Sequence, residues 1–118
     1  MPRIWDEFKS IRVVKVLSPS QIVLNVGTNE KVSIGDEYIV YGLSEDEIID
    51  PETNRSLGRL EIFRGIGTVI YVQDTMCILQ ATSQSALGML VAGWRENSFN
   101  NAEVNDYAKP NATKRTSS

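Results

Sequence analysis

Short runs of β-branched and aliphatic residues, separated by turn-forming residues, constrain the fold of this chain more than any other feature. The runs IRVVKVL, QIVLNV, TVIYVQ and MCILQA are typical of β-strands, and they recur at a spacing of about ten residues. No convincing internal helix interrupts them. The sequence therefore predicts a mainly β fold: a small antiparallel β-barrel or compact sandwich of about six strands.

Three hairpins are predicted from the residues between these runs. Pro19 lies in the first predicted turn, and residues 50–54 (DPETN) are a strong turn signal for the second. Asp74 lies in the third predicted turn, between TVIYVQ and MCILQA. Pro19 suits a turn because it has a fixed φ and no amide proton to offer a central strand.

Glycines and neighbouring aliphatic residues refine this prediction. We expect Gly27 and Gly35 to adopt the positive φ of tight turns. Between them, Val32 and Ile34 are predicted to turn inward and close one end of the barrel. The segment Gly65–Gly67 is expected to mark a bend or a close approach of the backbone, because a strand rather than a helix follows it.

The two termini differ from the central region. Residues 1–10 are predicted to form an N-terminal cap segment with a possible short helix over residues 3–9, and residues 11–96 the β-barrel-like domain. Residues 97–118 are rich in Asn, Ser, Thr and Lys and contain few apolar side chains, so we expect a flexible, disordered polar tail there.

The chain has no histidine, which removes the commonest general base near neutral pH and most zinc sites. Cys77 is the only cysteine, and its apolar neighbours predict a buried, inert thiol. We therefore expect no enzymatic activity, no catalytic or metal-binding residues and no cofactor. An enzyme acting through Asp46 and Asp50 is the weakest alternative, because nothing in the sequence positions a second partner for them.

Five acidic residues lie close together in the sequence, at Glu45, Asp46, Glu47, Asp50 and Glu52. No glycine lies in the middle of this group, and no glutamate closes a twelve-residue frame, so the spacing does not match a calcium loop. A solvated acidic loop is the favoured interpretation.

Nucleic-acid binding is a second functional alternative. Small barrels bind single strands with cations and aromatic rings, and the candidate contacts are Arg55, Arg59, Arg64, Phe63 and Tyr71. The formal net charge of −3 and the neighbouring acidic residues disfavour it.

The segment ALGMLVAGW is the strongest candidate for contact with a protein partner or a second copy of the chain. The contacts predicted within it are Leu87, Met89, Leu90, Val91 and Trp94. Packing of the same segment onto its own domain is the structural alternative, because apolar area left in water costs about 25 cal/mol per Å².

Residues 13–80 resemble the C-terminal domain of the bacterial flagellar assembly protein T family. The resemblance rests on VVKVLSPSQIVLNVGTNEKVSIGDEYIVYG, followed by IIDPETNRSLGRLE and the last hairpin. It implies a small β-barrel-like fold and a role in assembly or protein contact, with no active site to carry over. Members of that family are exported and have additional domains before this one, whereas this chain starts at Met1 without a signal peptide.

These observations predict a non-catalytic protein-interaction or structural scaffold module. A domain of unknown function without enzymatic activity stays as the broader alternative. The N-terminal residues are charged every few positions, so the sequence predicts a cytoplasmic protein, or an extracytoplasmic one if it is a fragment of a longer exported protein. No stretch approaches the roughly 20 apolar residues of a membrane span.

Overall fold

The computed structural model describes residues 10–82 and 98–111, which form one six-stranded antiparallel sheet. Its strands are β1 (Val13–Ser18), β2 (Gln21–Leu24), β3 (Glu37–Ile49), β4 (Ser56–Val72), β5 (Cys77–Ala81) and β6 (Tyr107–Pro110), with one 3₁₀ turn at Thr28–Glu30. Across the sheet the order is β1-β2-β5-β4-β3-β6. The predicted mainly β fold with about six strands is confirmed, and the three predicted hairpins are β1–β2, β3–β4 and β4–β5.

The sheet curls so that its two edge strands meet at one end, but it does not close into a continuous barrel. Arg12 and Tyr107 form an isolated β-bridge. Beside it, the Val13 N–H donates to the Asp106 carbonyl (2.8 Å) and the Ala108 N–H donates to the Ile11 carbonyl (3.0 Å). The fold is therefore an open, curved sheet with one joined end.

The core lies on the inner face of this curved sheet. Inward side chains alternate with outward ones, as a strand period of two requires: Tyr38, Val40 and Gly42 are buried along β3, and Cys77 and Leu79 along β5. The fully buried side chains are those of Val13, Ile22, Leu24, Val40, Val69, Cys77 and Leu79.

Two glycines of β4 allow other side chains to lie directly against the backbone. A Cβ at Gly67 would lie 2.6 Å from Cγ of Leu79. Gly65 has a φ of +144°, and the ring of Phe99 packs on it, with Cδ1 3.0 Å from the position of a Cβ. Both contacts confirm the close approach predicted for this segment.

The turn region between β2 and β3 corrects two expectations. Gly35 has the predicted positive φ (+100°), but Gly27 is extended at −150°, so the prediction for Gly27 is wrong. Val32 is buried as predicted, whereas Ile34 is 65% exposed. Ile34 points outward because the Ser33 N–H donates to the Asp36 carboxylate, which forms a tight turn around it.

The predicted flexible tail from residue 97 is wrong for residues 98–111. Tyr107–Pro110 form β6, which pairs with β3 from Tyr38 to Tyr41. Phe99 and Ala108 enter the core at 6% and 5% exposure. A short edge strand needs only a few apolar contacts. The segment is therefore mostly polar in composition, and its composition does not predict a strand. The predicted helix over residues 3–9 lies outside the described residues.

An ion pair joins this last strand region to the centre of the sheet. Arg64 Nε lies 3.1 Å from Oδ2 of Asp106, and the two side chains are only 16% and 9% exposed. The same oxygen accepts the Glu103 N–H at 2.7 Å. The pair lies against Gly42, where a Cβ would come within 2.8 Å of the Arg64 guanidinium and 2.9 Å of the Asp106 carboxylate.

We expect Asp106→Asn to lower the free energy of unfolding by about 3 kcal/mol, because it leaves the Arg64 guanidinium largely buried without a counter-charge. Urea unfolding followed by circular dichroism measures the loss. Glu61→Gln is the matched control. It breaks the exposed Lys109–Glu61 pair and should cost about 0.5 kcal/mol or less. Equal losses in the two variants would contradict the role assigned to Asp106.

The lone cysteine lies in the core, as predicted. Cys77 on β5 is fully buried. Burial raises the pKa of its thiol to about 11, the charge of Asp36 acts in the same direction, and a backbone hydrogen bond with Leu24 opposes them. The thiol is therefore protonated and unreactive at neutral pH.

This pKa shift predicts an alkaline loss of stability. Between about pH 9 and 11 the unfolded thiol ionises while the folded thiol keeps its proton, so stability falls as pH rises, by up to about 1.4 kcal/mol per pH unit. Comparing unfolding curves of the parent and Cys77→Ala isolates this contribution. In addition, a thiol reagent should react at pH 8 about 100-fold more slowly with the folded than with the unfolded chain. Equal rates would refute the assignment.

Candidate functional site

The β3–β4 hairpin extends beyond the rest of the sheet. β6 pairs with β3 only over residues 38–41, and β5 pairs with β4 only over residues 67–72. Within the described residues, strand pairing from residue 43 to residue 63 involves β3 and β4 alone. We call residues 43–63 the arm.

The turn at the tip of the arm has the predicted position and chemistry. The Asp50 carboxylate accepts the Glu52 N–H at 2.9 Å, and the Asp50 N–H donates to the Arg55 carbonyl at 2.9 Å. Asn54 adopts a positive φ of 62°, which asparagine tolerates better than most residues. The Asp50 carboxylate therefore has a structural role in this turn.

The acidic residues are placed differently from the predicted loop. Glu45, Asp46 and Glu47 belong to β3, which runs on to Ile49, and all three are exposed. They lie in a strand because the turn begins only at Asp50, so the hairpin is longer than its composition suggested.

Cross-strand register determines which side chains share a face of the arm. Glu47 lies opposite Arg59, and Ile49 lies opposite Ser56. Paired residues share a face, and Glu47 and Ile49 lie two residues apart on β3, so these four side chains lie on one face. Three of these four side chains are polar, and the fourth, Ile49, is apolar and 49% exposed. The register shift between the two pairs takes up the odd spacing from Ser56 to Arg59, and the sequence neighbours Ile48, Leu57 and Leu60 lie on the other face.

The other face carries a stripe of aliphatic side chains. Ile62 lies opposite Gly42. It is therefore on the same face of the sheet as the core residues further along β3. The stripe residues, with their exposed fractions, are Ile48 (43%), Leu57 (66%), Leu60 (58%) and Ile62 (38%). We call these four residues the apolar stripe.

Contacts of Ser44 fix the irregular register near the base of the arm. Its hydroxyl accepts the Leu60 N–H at 2.9 Å and donates to the Asp46 carbonyl at 2.9 Å. Its own carbonyl accepts Nε of Arg59 at 2.6 Å. These bonds hold β3 and β4 together at the point where their register shifts.

The side chains proposed for nucleic-acid contact do not form one surface. Arg55 and Arg59 lie on the arm, whereas Arg64 is paired with Asp106 at the inner side of the sheet. Phe63 is half-buried opposite Tyr41. Tyr71 lies near the other end of β4 and is 51% exposed. The residues that bind a single strand need to follow one continuous track, which this arrangement lacks.

A stack of cations and aromatic rings, not predicted from the sequence, lies on the outer surface. Tyr107 packs between Tyr41, at a centroid distance of 5.6 Å, and the Arg12 guanidinium, 4.0 Å above its ring. Lys109 lies 4.8 Å from the ring of Tyr41. The rings pack against groups of their own chain, so the stack fastens β6 to β3. The sequence predicts this stack only if β6 is recognised as a strand, because its pairing with β3 brings Tyr107 next to Tyr41.

The described surface includes two open depressions of about 270 Å³ each. One is lined by Val16, Leu17, Ser18, Pro19, Phe99, Asn101 and Ala102, and the other by Lys31, Gly35, Asp36, Glu37, Tyr38, Pro110 and Asn111. Over residues 10–82 and 98–111, no three acidic or cysteine side chains are grouped to hold a metal ion. In the same ranges, no helix has the length and hydropathy to cross a bilayer.

The contacts predicted in the segment ALGMLVAGW, namely Leu87, Met89, Leu90, Val91 and Trp94, lie outside the described residues. Their role stays a prediction.

The sequence predicts the arm as a hairpin, but it does not predict that the apolar stripe is exposed. No sequence feature indicates where the other strands end relative to this hairpin.

Comparison with known proteins does not assign the chain to a family. No protein-family model matches the sequence, and no curated protein is significantly similar to it.

Proposed function

We propose that this protein is a non-catalytic protein-interaction or structural module that contacts its partner through the arm. The observation that carries the proposal is the apolar stripe on a hairpin that projects beyond the sheet. Leu57 and Leu60, its two most exposed members, are 66% and 58% exposed.

Keeping these side chains in water costs free energy, at about 25 cal/mol per Å² of apolar area. A projecting two-stranded ribbon has no core of its own to cover them. The opposite face carries the exposed polar side chains of Glu47 and Arg59, so the same strands accommodate polar residues at exposed positions. A contiguous apolar patch beside a polar face is typical of a protein-contact surface.

The resemblance to the C-terminal domain of the flagellar assembly protein T family is consistent with this proposal. The segment IIDPETNRSLGRLE, which contributes to that resemblance, makes up most of the arm. An assembly role would use this surface for a structural contact. The segment ALGMLVAGW is a second proposed contact.

Photo-cross-linking in the native host tests the proposal. A photoreactive residue at Leu60 should give a covalent adduct with another polypeptide, and the same residue at Met76 should not. Met76 is a matched control because it is 42% exposed and lies in the turn between β4 and β5, away from the arm. Mass spectrometry identifies the adduct.

Substitution then tests whether the stripe drives the contact. Leu57→Asp should reduce cross-linking from position 60 at least about tenfold while changing stability by about 0.5 kcal/mol or less, because the site is exposed. Leu90→Asp tests the other segment in parallel. If cross-linking from Leu60 equals that from Met76, the arm is not the contact surface.

A further inference from the structure

We propose that the arm recognises a basic polypeptide segment that carries apolar side chains, rather than a second copy of this chain. This inference rests on the proposed function and specifies the chemistry of the partner.

The arm carries most of the negative charge of the described chain. It contains six carboxylates and two arginines, a net charge of −4, whereas the other described residues contain six carboxylates and five basic groups, a net charge of −1. Two arms placed side by side would therefore repel each other. A cationic partner would be attracted.

The three carboxylates that β3 contributes to the start of the arm, those of Glu45, Asp46 and Glu47, form none of the ion pairs of the described chain. Those pairs are Arg64–Asp106 and Lys109–Glu61. Arg59, although opposite Glu47, uses its Nε to bind the Ser44 carbonyl. These three exposed carboxylates are thus available to bind cations.

The size of the apolar stripe also disfavours self-association. A standard stable interface buries about 800 Å² on each partner. Four aliphatic side chains, exposed by between 38% and 66%, fall well short of that area. Binding through the stripe therefore needs a second favourable contribution, and opposite charge on the partner supplies both attraction and selectivity.

The arrangement of the two features defines the partner further. The apolar stripe lies on one face of the arm. By alternation along β3, Glu45 and Glu47 lie on the other face, and Asp46 lies on the same face as Ile48, next to the stripe. A segment in which apolar and basic residues alternate or adjoin is able to contact both at once. An apolar segment without cations would contact the stripe but not the carboxylates. A cationic segment without apolar groups would contact the carboxylates but not the stripe.

Binding of synthetic peptides to the full-length protein tests this inference. The probe is a fluorescent peptide of alternating valine and lysine, and its counterpart alternates valine and glutamate. Fluorescence anisotropy should detect binding of the lysine peptide alone. Raising the salt concentration from about 50 to about 300 mM should weaken binding at least about fivefold, because exposed charges are screened.

Matched charge reversals locate the interaction. Glu47→Lys should weaken binding of the lysine peptide at least about tenfold, and Leu60→Asp should also weaken it markedly. Glu103→Lys makes the same change of net charge at an exposed position outside the arm, so binding should stay within about twofold of the parent value. If Glu47→Lys and Glu103→Lys weaken binding of the lysine peptide equally, the effect arises from overall net charge and not from the arm. That outcome would overturn the proposal.

Two further outcomes would also overturn it. One is binding of the glutamate peptide as tight as that of the lysine peptide. The other is an arm-dependent homodimer, seen by light scattering and abolished by Leu60→Asp. If cross-linking at Leu60 succeeds but the lysine peptide does not bind, the charge inference falls and the proposed function stands. If Leu60 gives no specific cross-link, the proposed function itself falls.

Discussion

The buried pair between Arg64 and Asp106 is the interaction on which the arrangement of the sheet depends. It joins β4 to the segment that leads into β6, and the Asp106 carbonyl also accepts the Val13 N–H from the start of β1. One residue therefore links the centre of the sheet to both of its edges. A buried pair of this kind is costly to break, because either charge left alone is poorly solvated. Gly42 provides the space for the pair, since a Cβ there would collide with both groups.

Gly42 marks the boundary along β3 between the part of the sheet that packs in the core and the arm. On one side of Gly42 the inner face of β3 packs in the core, with Tyr38 and Val40 buried. On the other side β3 and β4 continue as the arm, without a further strand beside them in the described chain. The stripe thus continues a core face beyond the end of the core. Its side chains have the character of interior residues and the exposure of surface residues, which is the physical basis of the proposed contact.

Local sequence signals predicted those elements whose causes are local. The Asp50–Asn54 turn, the turn after Ser18 and the alternation along β3 all follow from residue conformational preference and a period of two. The apolar neighbours of Cys77 correctly predict its position in the core. The sequence does not predict strand β6, because its four residues, YAKP, include few apolar side chains. It is a strand because the free edge of β3 offers backbone partners, and residue preferences do not encode such an edge.

The sequence by itself determined the mainly β character, the three hairpins and the turn chemistry. Tertiary structure alone decided where the sheet ends relative to its longest hairpin, and therefore which aliphatic residues become exposed. Leu60 in the arm and Leu79 in the core are both leucines within strands, yet one is 58% exposed and the other fully buried. The difference arises because burial depends on which strands lie alongside, and strand neighbours are set by pairings between residues distant in the sequence.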